Sequence, residues 1–111
     1  MKKSFSIVIP VFNEVENIIP LMKKLKKLLS VFSKKCEVIA VNDGSTDKSL
    51  ECLKKHLPNH KFLKIIDLKI NHGQTAAITA GLNYCLNDVI IIMDSDLQND
   101  PNDIPNLIKK I

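Results

Sequence analysis

Two hydrophobic periods take turns along this chain, and their alternation restricts the fold more than any single residue does. Short β-branched runs, "SIVIPV" (Ser6 to Val11), "EVIAV" (Glu37 to Val41), "FLKIIDL" (Phe62 to Leu68) and "DVIIIM" (Asp88 to Met93), read as strands. Between them apolar residues recur at helical spacing. Ile18, Met22, Leu25 and Leu29 share one face, Leu50, Leu53 and Leu57 a second, and Ile78, Leu82 and Cys85 a third. Ser45 or Thr46 is expected to cap the second helix, Pro58 and Asn59 to close it, and Asp103 to open a fourth whose face is Ile104, Leu107, Ile108 and Ile111. Strand and helix in strict turn, joined by right-handed crossovers, predict an α/β fold: a doubly wound, mainly parallel open sheet with helices on both faces. The unbroken apolar character of the first and last strands predicts that both are central. Ligands of such a sheet sit beyond the carboxyl ends of its strands.

Size and charge narrow the reading. With 111 residues, 45% of them hydrophobic, the chain has material for one core, so residues 1–111 are expected to belong to one domain. Its net charge is +4 and all 16 basic residues are lysine, so no arginine fork is present to grip a phosphate. Cys36, Cys52 and Cys85 are odd in number and lack metal-site spacing, which predicts reduced, buried thiols. Pro10, Asn13 and Glu14 interrupt the first apolar run, which argues against a signal peptide and makes the cytoplasm the expected compartment. No stretch approaches the roughly 18 apolar residues of a membrane span. The lysines at 23, 24, 26, 27, 34 and 35 read as a solvated face or, alternatively, as an attraction to an anionic membrane surface. With one tyrosine, no tryptophan and no interleaving of aromatic with basic residues, nucleic acid is not an expected partner.

The residues just past the strands are where chemistry is expected: Pro10 to Glu14, then Asn42 to Gly44, then Asn71 to Gly73, then Asp94, Ser95, Asp96 and Gln98. Only 3 glycines occur, Gly44, Gly73 and Gly81, so neither a dinucleotide fingerprint nor a P-loop can be written. Five aspartates and no cation lie between Asp88 and Asp103. In an extended segment Asp94 and Asp96 project to the same side, and paired hard oxygen ligands suit Mg²⁺ or Mn²⁺. The same acids also work as turn formers leading to the Asp103 cap, and that reading stays open beside the metal. An EF-hand fits poorly, because Asn99 stands where its glycine belongs and Pro105 where its glutamate belongs. Asp43 is either half of an Asp-Gly turn or an acceptor for the ring N–H of a base. Phe12 is core or a stacking face, Pro10 ends a strand, and Glu14 favours a helix N-terminus. Gly73 with Gln74 opens the third helix, where a missing side chain lets a ligand near the backbone or simply serves a loop.

Taken in order, "SIVIPVFNEVENI", "VIAVNDGSTDKSL", "NHGQTAAITAGLNYC" and "DVIIIMDSDLQNDPNDIPNLI" resemble the nucleotide-binding, Rossmann-like half of a family 2 glycosyltransferase of the GT-A fold. The dolichol- and polyprenyl-phosphate hexose synthases are the most similar branch. The resemblance implies that Pro10, Phe12 and Glu14 contact base and ribose, with Phe12 in place of the commoner tyrosine. It implies that Val41 and Asp43 border the base, with Asn42 where a further aspartate is common. Asp94 and Ser95 match the part of the D-x-D motif that meets ribose and diphosphate, and Asp96 with Gln98 match its ligands for Mg²⁺ or Mn²⁺. The implied reaction is inverting transfer of a sugar from a nucleoside diphosphate to an acceptor, a polyprenyl or dolichyl phosphate at the membrane surface, with no general base evident. Relatives of this kind continue past this length with an acceptor-binding part, expected to be absent here. An uncovered sheet edge beside the last strand and an uncovered Ile104 to Ile111 face then predict self-association. Two rivals remain: a non-catalytic nucleotide-binding or interaction half-domain, and a response-regulator-like signalling module, which requires adjacent acids after the first strand where Pro10, Val11 and Phe12 stand.

Overall fold

The computed structural model describes residues 4–30, 36–87 and 89–95. Among these residues four strands, β1 (Phe5–Val11), β2 (Cys36–Asn42), β3 (Leu63–Asp67) and β4 (Val89–Ile92), alternate with three helices, α1 (Val15–Leu29), α2 (Ser49–His56) and α3 (Gln74–Leu82). A 3₁₀ turn, Leu57–Asn59, which contains Pro58, follows α2 directly. All pairings are parallel and the sheet order is β3-β2-β1-β4. This is the expected doubly wound α/β arrangement. The fourth helix expected from Asp103 lies outside the described residues.

The side-chain period of 2 divides the core in two. Ile7, Ile9 and Val11 of β1, with Val38 and Ala40 of β2, pack against Ile18, Leu21, Met22 and Leu25 of α1 and Leu53 of α2. Val8, Ile39 and Val41 face the other way, onto Ala77 of α3. The α1 stripe is the one its spacing predicts; the other two helices depart from it. Leu57 falls in the 3₁₀ turn and is 41% exposed, so α2 buries Ser49 and Leu53. On α3 the large residue Leu82 is exposed, Ile78 is half-buried, and the buried positions are Ala77 and Gly81. The cause is close approach: a Cβ on Gly81 would lie 2.5 Å from Val8 Cγ1 and 3.1 Å from Val41 Cγ2. A helix this near the sheet turns its small residues inward.

β1 is central as expected, but β4 is not: among the described residues it forms one edge of the sheet, and β2 takes the second central place. Register puts Ile90 and Ile92 beside Ser6 and Val8, on the α3 face, where they are 42% and 48% exposed. An unbroken apolar run therefore reports two apolar faces rather than two strand neighbours. The Ile104 to Ile111 face expected to join this surface lies outside the described residues. Among the described residues no helix is long and apolar enough to cross a membrane.

Candidate functional site

From β1 the chain winds outward through β2 to β3, then returns over α3 to place β4 on the opposite side of β1. The strand order reverses between β1 and β4, and loops diverging from such a point leave a crevice. A cleft of about 310 Å³ opens there. Pro10, Phe12 and Glu14 line it from the end of β1, Asp43 from the end of β2, and Asp94 with Ser95 from the end of β4. Asn71, Gly73 and Gln74 close it from the entry to α3.

The first wall is held by Asn13. It adopts a left-handed backbone, φ 52°, which asparagine tolerates better than most residues. Its Oδ1 accepts the Thr46 N–H at 2.8 Å and the Asp47 N–H at 3.2 Å, while its own N–H donates to Ser45 Oγ at 3.0 Å. Ser45 and Thr46 are thus spent on this clasp and do not cap α2. The cap position is Lys48, and one residue earlier Asp47 Oδ1 accepts the Ser49 N–H at 2.9 Å. Burial lifts the Asp47 carboxyl, but the Ser49 hydroxyl and the N–H groups of Ser49 and Val15 outweigh it and hold the group below its ordinary range. Ser49 in turn accepts the Glu14 N–H, so the starts of α1 and α2 are tied together. Above this frame Phe12 presents a ring that is 44% exposed. Glu14 points one oxygen at Asn17 Nδ2, 2.6 Å away.

The second wall is built on Asp43, which is buried to 3% exposure at the cleft's edge. Its Oδ1 accepts the His72 N–H at 2.7 Å and its Oδ2 the Gly73 N–H at 3.0 Å. Asn71 Nδ2 donates to Asp43 Oδ2 at 3.2 Å and to the Asp43 carbonyl at 3.0 Å. Gly44 makes this possible: its φ is +65°, and a Cβ there would sit 2.1 Å from the Asn71 nitrogen. Gly73, at φ +98°, begins α3 with open space where a side chain would project.

Val41 is the one described candidate that the structure sets apart from the cleft. Residues two apart share a face, so Val41 joins Ile39 beneath α3 and is fully buried. Asp94 is half-buried and Ser95 is 4% exposed at the cleft's third side. Asp96 and Gln98, the expected metal ligands, lie outside the described residues; among the described residues no three His, Cys, Asp or Glu side chains gather to hold a metal. The three thiols are free and only partly buried, and desolvation pushes each of them up, away from nucleophilic chemistry. The sequence places Asn13 and Asn71 on this rim but does not disclose what they hold, because their partners, Thr46 and Asp43, are distant in the chain.

Comparison with known proteins agrees with this geometry. The family model "Glycosyl transferase family 2" matches residues 6–111. A dodecaprenyl-phosphate galacturonate synthase of Rhizobium johnstonii is 38% identical over 107 residues, covering 96% of this chain and 32% of that protein. An undecaprenyl-phosphate 4-deoxy-4-formamido-L-arabinose transferase of Edwardsiella ictaluri is 38% identical over 106 residues, 94% of this chain and 32% of its own. The chain thus spans about a third of the length of these relatives. Among solved structures, S. aureus TarS in complex with UDP superposes with a TM-score of 0.76 at 26% identity, over 96% of this chain and 32% of that one. The mannosyltransferase PcManGT of Pyrobaculum calidifontis, solved with GDP-Man and Mn²⁺, shares the fold at a TM-score of 0.78 and 19% identity, over 86% of this chain and 28% of its own. With a family model that takes in almost every residue, the chain belongs to glycosyltransferase family 2.

Proposed function

We propose that the cleft binds a nucleoside-diphosphate sugar together with a divalent cation, and that the protein transfers the sugar with inversion to a polyprenyl or dolichyl phosphate at a membrane surface, toward cell-envelope glycans. The observation that carries this reading is convergence. Pro10, Phe12, Glu14, Asp43, Asp94 and Ser95, from three different strand ends, meet at the one point where the strand order reverses. Family membership and the names of the relatives supply the reaction class. Phe12 offers a face for a base to stack on, Asp43 an acceptor for its ring N–H, and Asp94 with Ser95 polar contacts to ribose and diphosphate.

The donor set fits a hard cation. Among the described residues the cleft lining contains the carboxylates Glu14, Asp43 and Asp94 and no lysine, a set of hard oxygen donors. Asp96 and Gln98 would hold Mg²⁺ or Mn²⁺ beside them. When bound, the cation acts as a Lewis acid toward the departing nucleoside diphosphate. The residues of this chain orient the donor so that the acceptor reaches the sugar carbon from the face opposite the leaving group. A lipid phosphate is already anionic and requires no general base.

Calorimetry with UDP, with and without Mn²⁺, tests the binding half of this reading. Affinity should rise with the metal, and Asp96→Ala should lose that rise while keeping the fold; binding that ignores both changes removes the cation from the site. Nucleotide binding without transfer is the second reading. A transfer assay to polyprenyl phosphate, run beside the titration, separates the two.

A further inference from the structure

The hydrogen-bonding capacity of Asp43 can be counted. An ionised carboxylate offers about four acceptor positions, two on each oxygen. Oδ2 accepts both the Gly73 N–H and Asn71 Nδ2, so it is filled. Oδ1 accepts the His72 N–H alone. One position remains, on Oδ1. The Asn71 amide is not free to turn over, because the groups it meets, Asp43 Oδ2 and the Asp43 carbonyl, are both acceptors. Nor can the loop swing away without opening the contact in which the Asn71 backbone lies against Gly44.

We propose that this clamp makes the cleft selective for a base presenting a single ring N–H between two carbonyls, which is uracil, and that Asn71 is the positioning residue that sets the preference. The inference rests on the nucleotide-binding reading of the cleft. The uracil N3–H asks for one acceptor, and one is available. Guanine presents N1–H beside an exocyclic amine and asks a carboxylate for both oxygens at once; with Oδ2 filled, one donor stays unpaired in a desolvated site. Cytosine and adenine turn a ring-nitrogen lone pair toward the carboxylate, which repels it. Asn71 acts through Asp43, by occupying the position that guanine would need.

The test is titration calorimetry of the chain with UDP, GDP and N3-methyl-UDP at one fixed Mn²⁺ concentration, followed by the first two ligands on Asn71→Ala. UDP should bind roughly tenfold or more tightly than either GDP or the methylated analogue, the factor expected for one unmade hydrogen bond in a closed site. Asn71→Ala returns a position to Oδ2, and the UDP-to-GDP preference should shrink several-fold. If the variant merely loosens the loop, both affinities fall in parallel and the ratio stays, which overturns the role given to Asn71. GDP binding as tightly as UDP, or undiminished binding of N3-methyl-UDP, overturns the base preference while leaving nucleotide binding in place. Failure of every nucleotide to bind removes the underlying reading as well. The ligand comparisons on the unaltered chain decide the preference even where Asn71→Ala does not fold.

Discussion

β2 carries a buried carboxylate at its amino end and is followed by another at its carboxyl end, and the two perform the same mechanical task on opposite flanks of α3. Asp43 holds residues 71–73 as the chain enters the helix. Glu37, 5% exposed, holds the chain as it leaves: its Oε2 accepts the Leu86 N–H at 2.8 Å and the Ser6 hydroxyl at 2.5 Å. What differs is charge. Lys64 Nζ lies 2.6 Å from Glu37 Oε1, whereas Asp43 is met only by uncharged donors and forms no ion pair among the described residues. Burial pushes the Glu37 carboxyl up, but the Leu86 N–H, Lys64 and Ser6 outweigh it and hold the group below its ordinary 4.5. A carboxylate that is paired and closed off belongs to the scaffold. One at the edge of a cleft, with an acceptor position spare, is the one we propose a ligand uses.

The heaviest way to break this symmetry is at Gly44. An alanine there must adopt φ +65° and drive its Cβ to within 2.3 Å of the Ile70 carbonyl carbon, a backbone atom that cannot step aside cheaply. Left-handed strain and overpacking each cost about 1–3 kcal/mol, so Gly44→Ala should lose about 3 kcal/mol or more in urea denaturation. Hydrogen exchange then locates the damage. The His72 and Gly73 amides should lose protection at less than global cost, while the Leu86 amide keeps it until the whole domain opens. Equal loss at both ends would mean that the two clamps are one cooperative unit.

Glu37→Ala breaks the opposite end. It strands the Leu86 N–H and the Ser6 hydroxyl in a buried setting, for a cost of about 2–4 kcal/mol at neutral pH. Because the folded carboxyl is depressed, its contribution is whole above 4.5 and drains away as pH falls through the lower folded value. The stability gap between wild type and variant should therefore narrow as the solution is taken to about pH 3. A gap that stays constant would show that Glu37 works without its charge. Nucleotide affinity measured on the folded variant should be unchanged, since no Glu37 atom reaches the cleft lining.

The contrast between the two carboxylates also marks what a sequence discloses. Alternating periods placed each end of the four strands to within one residue, because burying a strand on two faces leaves a dense local signature. The rim residues followed from topology, since whatever comes after a parallel strand lands on one edge. Side-chain roles that depend on distant partners did not follow. Glu37 read as an ordinary strand residue, and its meaning lies in Lys64, Leu86 and Asn87, up to fifty positions away. Ala77 and Gly81 were passed over for Ile78 and Leu82 because hydrophobic periodicity weighs size, whereas the distance between α3 and the sheet rewards its lack. Val41, which the resemblance places beside the base, has its side chain under α3 because the strand's alternation sends it to that face.

The smallest expected effect probes how much of the Glu37 end is electrostatic. The Lys64 side chain is 49% exposed, so water already screens its charge and its long stem gives up rotamer freedom to reach Glu37. Lys64→Ala should cost only about 0.5–1 kcal/mol, and less in high salt, because the Leu86 N–H and the Ser6 hydroxyl still hold the carboxylate. The sign with pH follows as well: without the ammonium the Glu37 carboxyl titrates closer to 4.5, so the window of acid loss below 4.5 narrows and the variant should lose less stability on acidification than wild type. Urea denaturation at two salt concentrations and across the acid range measures both. A loss as large as that of Glu37→Ala would make the ion pair, and not the neutral donors, the element that separates the scaffold carboxylate from the one at the cleft.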